Sequence, residues 1–355
     1  MSKVKYIGLD VHQESISAAV LDESGKVMLQ CTMPTQSRAI LEFIAGIRGS
    51  VQITFEEGTQ SAWLYDLLVR RVSKVVVSNP RKNALLKVGN KSDPIDALKL
   101  AELLRGGLLS GVYHGENGLR SLQELGRSYT TLTEDTTRVM NRLKALYRGQ
   151  AIRCKGKKLY SVRFRGEWLQ QLVQAGLQQR AQGLYEQLDG LEKLRRKARQ
   201  LLLQESKKHA ICARLRTIPF LGPIRVALLV ARVQMPHRFR SKRQFWAYCG
   251  LALETRSSAD YQQSEGKLKR SSRKALIRGL NADHNPTLKR IFKSAAMSAS
   301  VFPGPWRDFY QERVDAGIRP EMAQLTLARK IATTTLTLWK KGESFDPTYL
   351  KAQAA

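Results

Sequence analysis

Hydrophobic periodicity changes once along this chain, near residue 110, and the change limits what each part can fold into. Before it, short apolar runs dominate: Val4–Val11, Ile16–Asp22, Val27–Met33, Val51–Glu56 and Lys74–Asn79. In Val51–Glu56, Ile53 and Phe55 share one side and Gln52, Thr54 and Glu56 the other, the period of two that marks a strand. A turn at Asp22-Glu-Ser-Gly25 joins the second run to the third, so the first three strands read as an antiparallel meander. Helical spacing fills Arg38–Ile47, Ala62–Val72 and Asp93–Leu104, the last with Pro94 in its first turn and Gly106-Gly107 past its end. After residue 110 the spacing becomes heptad-like. Leu119, Leu122, Tyr129, Leu132, Val139, Leu143 and Leu146 form one series, and Leu177, Ala181, Leu184, Leu188, Leu191, Ala198 and Leu202 another.

Three meander strands followed by strand–helix–strand–helix is the element order of an RNase H-like fold. The fold class expected is therefore α/β plus α. Residues 1–110 form the RNase H-like domain, 111–210 a long helical coiled-coil middle, 211–345 a mainly helical C-terminal domain, and 346–355 a polar tail. Between the two heptad series lies Arg148–Gly166, with Lys155, Lys157, Lys158, Arg163 and Arg165, which reads as the basic tip of a helical hairpin. The leucines pack either within one subunit or between subunits. Arg216–Ile224, with Pro219, Gly222 and Pro223, reads either as a helix-hairpin-helix unit presenting backbone N–H groups to a phosphate or as an ordinary helix connection. Phe220 stands where such a hairpin would carry its first glycine. Glu254–Arg270 is a polar segment, and helices are expected from there to about Lys341.

Charge follows the same division. Sixty Lys and Arg against 30 Asp and Glu give a net +30. Residues 1–110 hold 14 basic and 11 acidic side chains, and residues 111–355 hold 46 and 19. An excess of +27 over the second part calls for a polyanionic partner, of which nucleic acid is the commonest. No apolar run reaches the roughly 18 residues of a membrane span. Met1–Asp10 lacks the apolar core of a signal peptide. Cys31, Cys154, Cys212 and Cys249 lie far apart with no Cys-x-x-Cys pair, so neither a disulfide framework nor a zinc site is expected. The expected setting is a reducing cytosol.

The acids of the first part fall in a pattern. Asp10 and Glu56 end strands that an RNase H-like sheet makes neighbours, and Asp93 and Asp96 share one face of a helix start. Four carboxylates around one point repel one another unless cations lie between them, and two Mg²⁺ ions about 3.5–4 Å apart would use such a cluster to clamp a phosphodiester. Asp93-Pro94-Ile95-Asp96 also reads as a plain helix start, with Asp93 as N-cap and Asp96 in the first turn. His12, His114, His209, His237 and His284 form no triad and read as surface or packing residues.

Several segments, taken in order, carry a resemblance: Gly8-Leu-Asp-Val-His12, Phe55-Glu-Glu-Gly-Thr59 with Trp63-Leu-Tyr65, and Lys91-Ser-Asp-Pro-Ile-Asp-Ala-Leu-Lys-Leu100. They continue through Ile218-Pro219 and Gly222-Pro223, Phe245–Leu251, Arg256-Ser-Ser258 and Asn281–Lys293. Over roughly residues 4–340 the chain resembles the DEDD-type insertion-sequence transposases, RuvC-like, bridge-RNA-guided recombinases of bacterial mobile elements. The resemblance implies a RuvC-like first domain whose metal-holding acids are Asp10, Glu56 or its neighbour Glu57, Asp93 and Asp96. It implies a C-terminal transposase domain whose serine nucleophile follows Gly250-Leu251, at Ser258 or the adjacent Ser257. A serine hydroxyl attacking a phosphodiester displaces a deoxyribose oxygen and keeps the bond energy in a phosphoserine ester. Arg256, Lys267, Lys269 and Arg270 are near enough in sequence to offset the charge of that transition state. Also implied are Mg²⁺, donor and target DNA, a structured noncoding guide RNA, a homodimer or homotetramer, and a place in the bacterial cytosol or nucleoid.

Two other readings remain open at the level of sequence. One is a metal-only, structure-specific nuclease of the Holliday-junction type, with water attacking. The other is a non-catalytic nucleic-acid-binding protein in which the acids are caps and surface groups.

Overall fold

Strand β1 (Val4–Val11) lies inside a six-stranded sheet because both of its edges are used. β2 (Ser15–Leu21) pairs antiparallel with it and β3 (Val27–Pro34) with β2, which makes the meander. The chain then passes through α1 (Ser37–Ala45) and returns as β4 (Ser50–Glu56), parallel to β1. α2 (Ser61–Leu68) leads to β5 (Lys74–Ser78), parallel to β4. α3 (Asp93–Arg105) follows, and two-residue β6 (Gly111–Val112) closes the order β3-β2-β1-β4-β5-β6. This is a computed structural model, describing residues 3–80, 92–115, 118–256, 261–264, 267–270 and 276–347, with backbone only from 255 to 278.

The two faces of the sheet are covered differently. Ile7, Leu9, Ile53 and Phe55 bury one face against Ile40 and Ile44 of α1 and Leu64 and Leu68 of α2. The other face has small residues where three strands meet in register: Gly8 opposite Ala19 on β2 and Thr54 on β4. A side-chain carbon at Gly8 would fall 2.0 Å from the Ala97 carbonyl oxygen and 2.6 Å from the Ala101 nitrogen. Helix α3 therefore rests directly on β1, and only glycine permits that approach.

The chain forms two compact units, residues 1–116 and 117–355. The second begins with α4 (Arg120–Arg148), which the short α5 (Arg165–Gln170) and intervening turns connect to α6 (Ala175–Lys207). The two long helices run in opposite directions. Tyr147 near the end of α4 meets Tyr185 near the start of α6, hydroxyl to hydroxyl at 3.3 Å, and Leu122 and Leu202 share the core at the other end. Arg165 of the basic tip is tied down by two 2.6 Å hydrogen bonds to Asp189 and lies over the Tyr185 ring.

α7 (Ala210–Leu215) and α8 (Pro223–Val233) flank the turn that contains Phe220. Phe220 has φ +66°, the left-handed conformation a glycine would take, and its carbonyl accepts a 2.7 Å hydrogen bond from Arg225. Around Val226–Val233 pack α9 (Lys242–Tyr248), α10 (Pro286–Val301), α11 (Pro305–Asp315) and α12 (Pro320–Lys341). Trp246 of α9 donates its indole N–H to Arg329 O and Thr333 Oγ1 of α12.

The polar segment after Leu251 is not simple loop. It contains β7 (Leu253–Arg256), β8 (Tyr261–Ser264) and β9 (Lys267–Arg270), with β8 and β9 paired antiparallel and β7 paired to β10 (Leu276–Leu280). Tyr261-Gln-Gln-Ser264 and Lys267-Leu-Lys-Arg270 lack apolar alternation in sequence, and a backbone ladder pairs them. The C-terminal part is thus mostly helical with small antiparallel β elements.

Candidate metal centre

Asp10 is the last residue but one of β1, on the same side of the strand as Gly8, so it faces α3. The close approach at Gly8 brings the first turn of α3 beside the end of β1. That helix begins at Asp93, as its spacing predicts, but its N-cap is Ser92 and not Asp93. Neither Asp93 nor Asp96 is spent on capping, although both sit at the positive end of the helix dipole.

Three donors converge. Among the described residues, Asp10, His12 and Asp93 each offer a ligand atom, and these atoms all lie within 4.8 Å of one another. His12 Nε2 is 3.2 Å from Asp10 Oδ2 and 3.5 Å from Asp93 Oδ2. Burial pushes the Asp10 carboxyl above its usual range. The His12 ring pulls it back by charge and hydrogen bond, and the charges of Asp93 and Asp96 raise it again. A bound cation would relieve that repulsion.

Asp96 lies one turn along α3. Its Oδ1 is buried and has no hydrogen-bond partner, and Lys99 Nζ stands 3.9 Å away, an ion-pair distance beyond hydrogen-bond reach. Glu56 ends β4 one step beyond the Leu9–Phe55 register pair, beside Asp10 on the neighbouring strand. It is outside the tight group of three, but it and His12 line one cleft of about 290 Å³ with Val11, Gln13, Phe55 and Gln60. Glu57, the neighbour with opposite strand parity, is engaged elsewhere. Its Oε2 is 2.7 Å from His114 Nε2, and its N–H donates to Ser78 O.

The donor set fits a hard divalent cation: carboxylate oxygens of Asp10 and Asp93 lie close together, and one turn along α3 the buried Asp96 Oδ1 accepts no hydrogen bond. The surprise is His12, which reads in sequence as a surface residue and here sits between two of the acids. The sequence shows only that Asp10 and His12 are two apart at a strand end, a spacing that puts both on one side. Ser257 and Ser258 lie outside the described residues, which stop at Arg256 of β7 and resume at Tyr261. Among the described residues, no helix is long and apolar enough to cross a membrane.

Comparison with known proteins agrees with this arrangement. A search of curated proteins finds no match. Two family models do match: one described as a transposase of the DEDD type over residues 7–149, the other as the transposase IS116/IS110/IS902 family over residues 212–311. The first spans the acid-bearing sheet and α4, and the second runs from α7 into α11. With more than half of its residues inside these matches, the chain belongs to the DEDD-type insertion-sequence transposases of the IS110 family.

Proposed function

We propose that this transposase cuts and rejoins DNA through a Mg²⁺-dependent site formed by Asp10, Glu56, Asp93 and Asp96, with Ser258 as a covalent nucleophile and a structured noncoding RNA as guide. The observation that carries the reading is the gathering of donors where the end of β1 meets the start of α3, Asp10 and His12 beside Asp93, with Glu56 at the end of the adjacent strand. The strand order β3-β2-β1-β4-β5, with β2 alone antiparallel within β1, β2, β4 and β5, supports a RuvC-like, RNase H-like domain. The parallel register that puts Glu56 beside Asp10 on the neighbouring strand favours Glu56 as the second acid.

When bound, Mg²⁺ would supply charge neutralisation and Lewis acidity to the scissile phosphate. The chain does the rest. The Ser258 hydroxyl gives up its proton to solvent as its oxygen bonds to phosphorus, the bond to one deoxyribose oxygen breaks, and that oxygen leaves as a hydroxyl after taking a proton from solvent. The phosphoserine ester conserves the bond, and a hydroxyl of another strand reverses the step to rejoin DNA. Residues 1–110 carry the acids, 111–210 the coiled-coil hairpin, and 211–345 the serine. Acids and serine drawn from different subunits would make a dimer or tetramer the working unit. The +27 excess suits RNA and DNA bound together, through backbone charge and shape. The bacterial cytosol or nucleoid is the matching location.

Strand exchange between an element end and a target, with RNA recovered from cells carrying the whole element, tests this reading. Exchange should require a divalent cation, with Mg²⁺ sufficient, stop on chelation, and be lost in Asp10→Asn and Ser258→Ala. Normal cleavage by Ser258→Ala would instead identify a metal-only nuclease. Exchange that proceeds without any retained specific RNA would refute guidance.

A further inference from the structure

We propose that His12 is a nitrogen ligand of the cation held by Asp10 and Asp93, which makes this a mixed nitrogen–oxygen centre that prefers Mn²⁺ to Mg²⁺. The proposal rests on the metal-dependent reading of the acids and adds to it one donor and one preference.

The spacing is that of a shared coordination shell. Donors at adjacent vertices of an octahedron with ligand bonds of about 2.1 Å lie roughly 3 Å apart. Nε2 of His12 stands 3.2 Å from one carboxylate oxygen and 3.5 Å from the other. The ring is not a packing residue, since the side chain is 52% exposed. Its placement is nevertheless preset by the backbone. The His12 N–H donates to Ser15 O at 2.9 Å, and its carbonyl accepts from Thr35 Oγ1 at 3.0 Å. Both bonds hold the β1–β2 turn so that residue 12 continues the side of the strand that carries Asp10.

A histidine placed only to orient Asp10 would need one carboxylate contact, whereas this one divides a single nitrogen between two. Coordination through Nε2 uses the neutral imidazole with its proton on Nδ1. Imidazole is a poor partner for Mg²⁺, which demands oxygen donors and retains its water, and a better one for transition-metal ions. A histidine at this point therefore separates the two cations, while the carboxylates alone accept both.

The test is electron spin echo envelope modulation of the full-length protein loaded with Mn²⁺, with natural-abundance or ¹⁵N-labelled histidine. The expected result is imidazole-nitrogen modulation that changes with the histidine label and disappears in His12→Ala. In that variant Mn²⁺ should still bind, with affinity lowered roughly tenfold, while Mg²⁺ affinity changes far less. Mn²⁺ bound by the wild type without imidazole coupling would overturn the proposal and leave the carboxylate site standing. Coupling that survives His12→Ala would overturn it as well. If the wild type binds no Mn²⁺, or Asp10→Asn binds it equally well, the metal-dependent reading itself fails. The labelling arm uses only the wild type, so the result does not depend on how His12→Ala folds.

Discussion

The two units of this transposase arrange their charge in opposite ways. In residues 1–116 acids from distant parts of the sequence gather where β1, β4 and α3 come together. In residues 117–355 the basic side chains are spread along outer faces, as with Lys193, Arg196 and Lys197 on α6. The contrast teaches what each job requires. Holding a cation needs a few acids set close together and partly out of water, and the Asp10 carboxyl is raised first by burial and then by the charges of Asp93 and Asp96. Holding a phosphate backbone needs many charges set apart, each contributing little alone.

Substitutions can break or sharpen that contrast. The largest effect is expected from Asp10→Asn, which should lower strand transfer by roughly 10³-fold while nucleic-acid binding, read by filter retention, stays near wild type. Equal loss of binding and transfer would mean the two jobs are not divided between the units. Next comes the triple change Lys193→Ala, Arg196→Ala and Lys197→Ala. Its slope of log affinity against log salt should fall by roughly two to three, with Mn²⁺ affinity unchanged.

Glycine-to-alanine changes should have opposite signs in the two units. Gly8→Ala drives a methyl into the backbone of α3 and should destabilise the protein by about 1–3 kcal/mol in urea titrations, weakening metal binding with every acid still present. Gly183→Ala and Gly190→Ala meet no atom within 4 Å on α6 and should each stabilise by about 0.5–1 kcal/mol. A stabilising Gly8→Ala would refute the close approach of α3.

The smallest effect is that of Asp189→Asn. Hydrogen bonding to Arg165 holds the Asp189 carboxyl below its usual range, so the pair stabilises the fold above the unfolded carboxylate value, near 4, and loses that contribution as pH falls through the lower folded value. Half of the side chain is exposed, which limits the loss at pH 7 to about 1 kcal/mol or less. The difference between variant and wild type should shrink as pH falls below about 4 and vanish once pH is below the lowered folded value. A loss independent of pH would show that packing, not charge, holds the tip.

The sheet was legible because its strands are short apolar runs bounded by turns: β1 spans Val4–Val11 as the pattern predicts, and each larger element of the first unit falls within a few residues of its reading. β6 was not, since two residues carry no period. The polar hairpin of β8 and β9 escaped notice because it has no apolar side to reveal it. Asp10 and Asp93 could be placed together once the element order was read as RNase H-like, since spacing alone pairs Asp93 only with Asp96. His12 could not be valued without the fold, because it becomes a candidate donor only when α3 delivers Asp93 to it.

The central claim, that acids of the first unit and a serine of the second serve one reaction, is tested most directly by mapping the covalent intermediate. The full-length protein with its RNA and Mg²⁺ would be mixed with element-end DNA, quenched, digested with nuclease and trypsin, and read by mass spectrometry. The account predicts a nucleotide ester on Ser258 in the wild type and none in either Ser258→Ala or Asp10→Asn. An ester formed in unchanged yield by Ser258→Ala, or DNA cut at full rate with no ester at all, would contradict it.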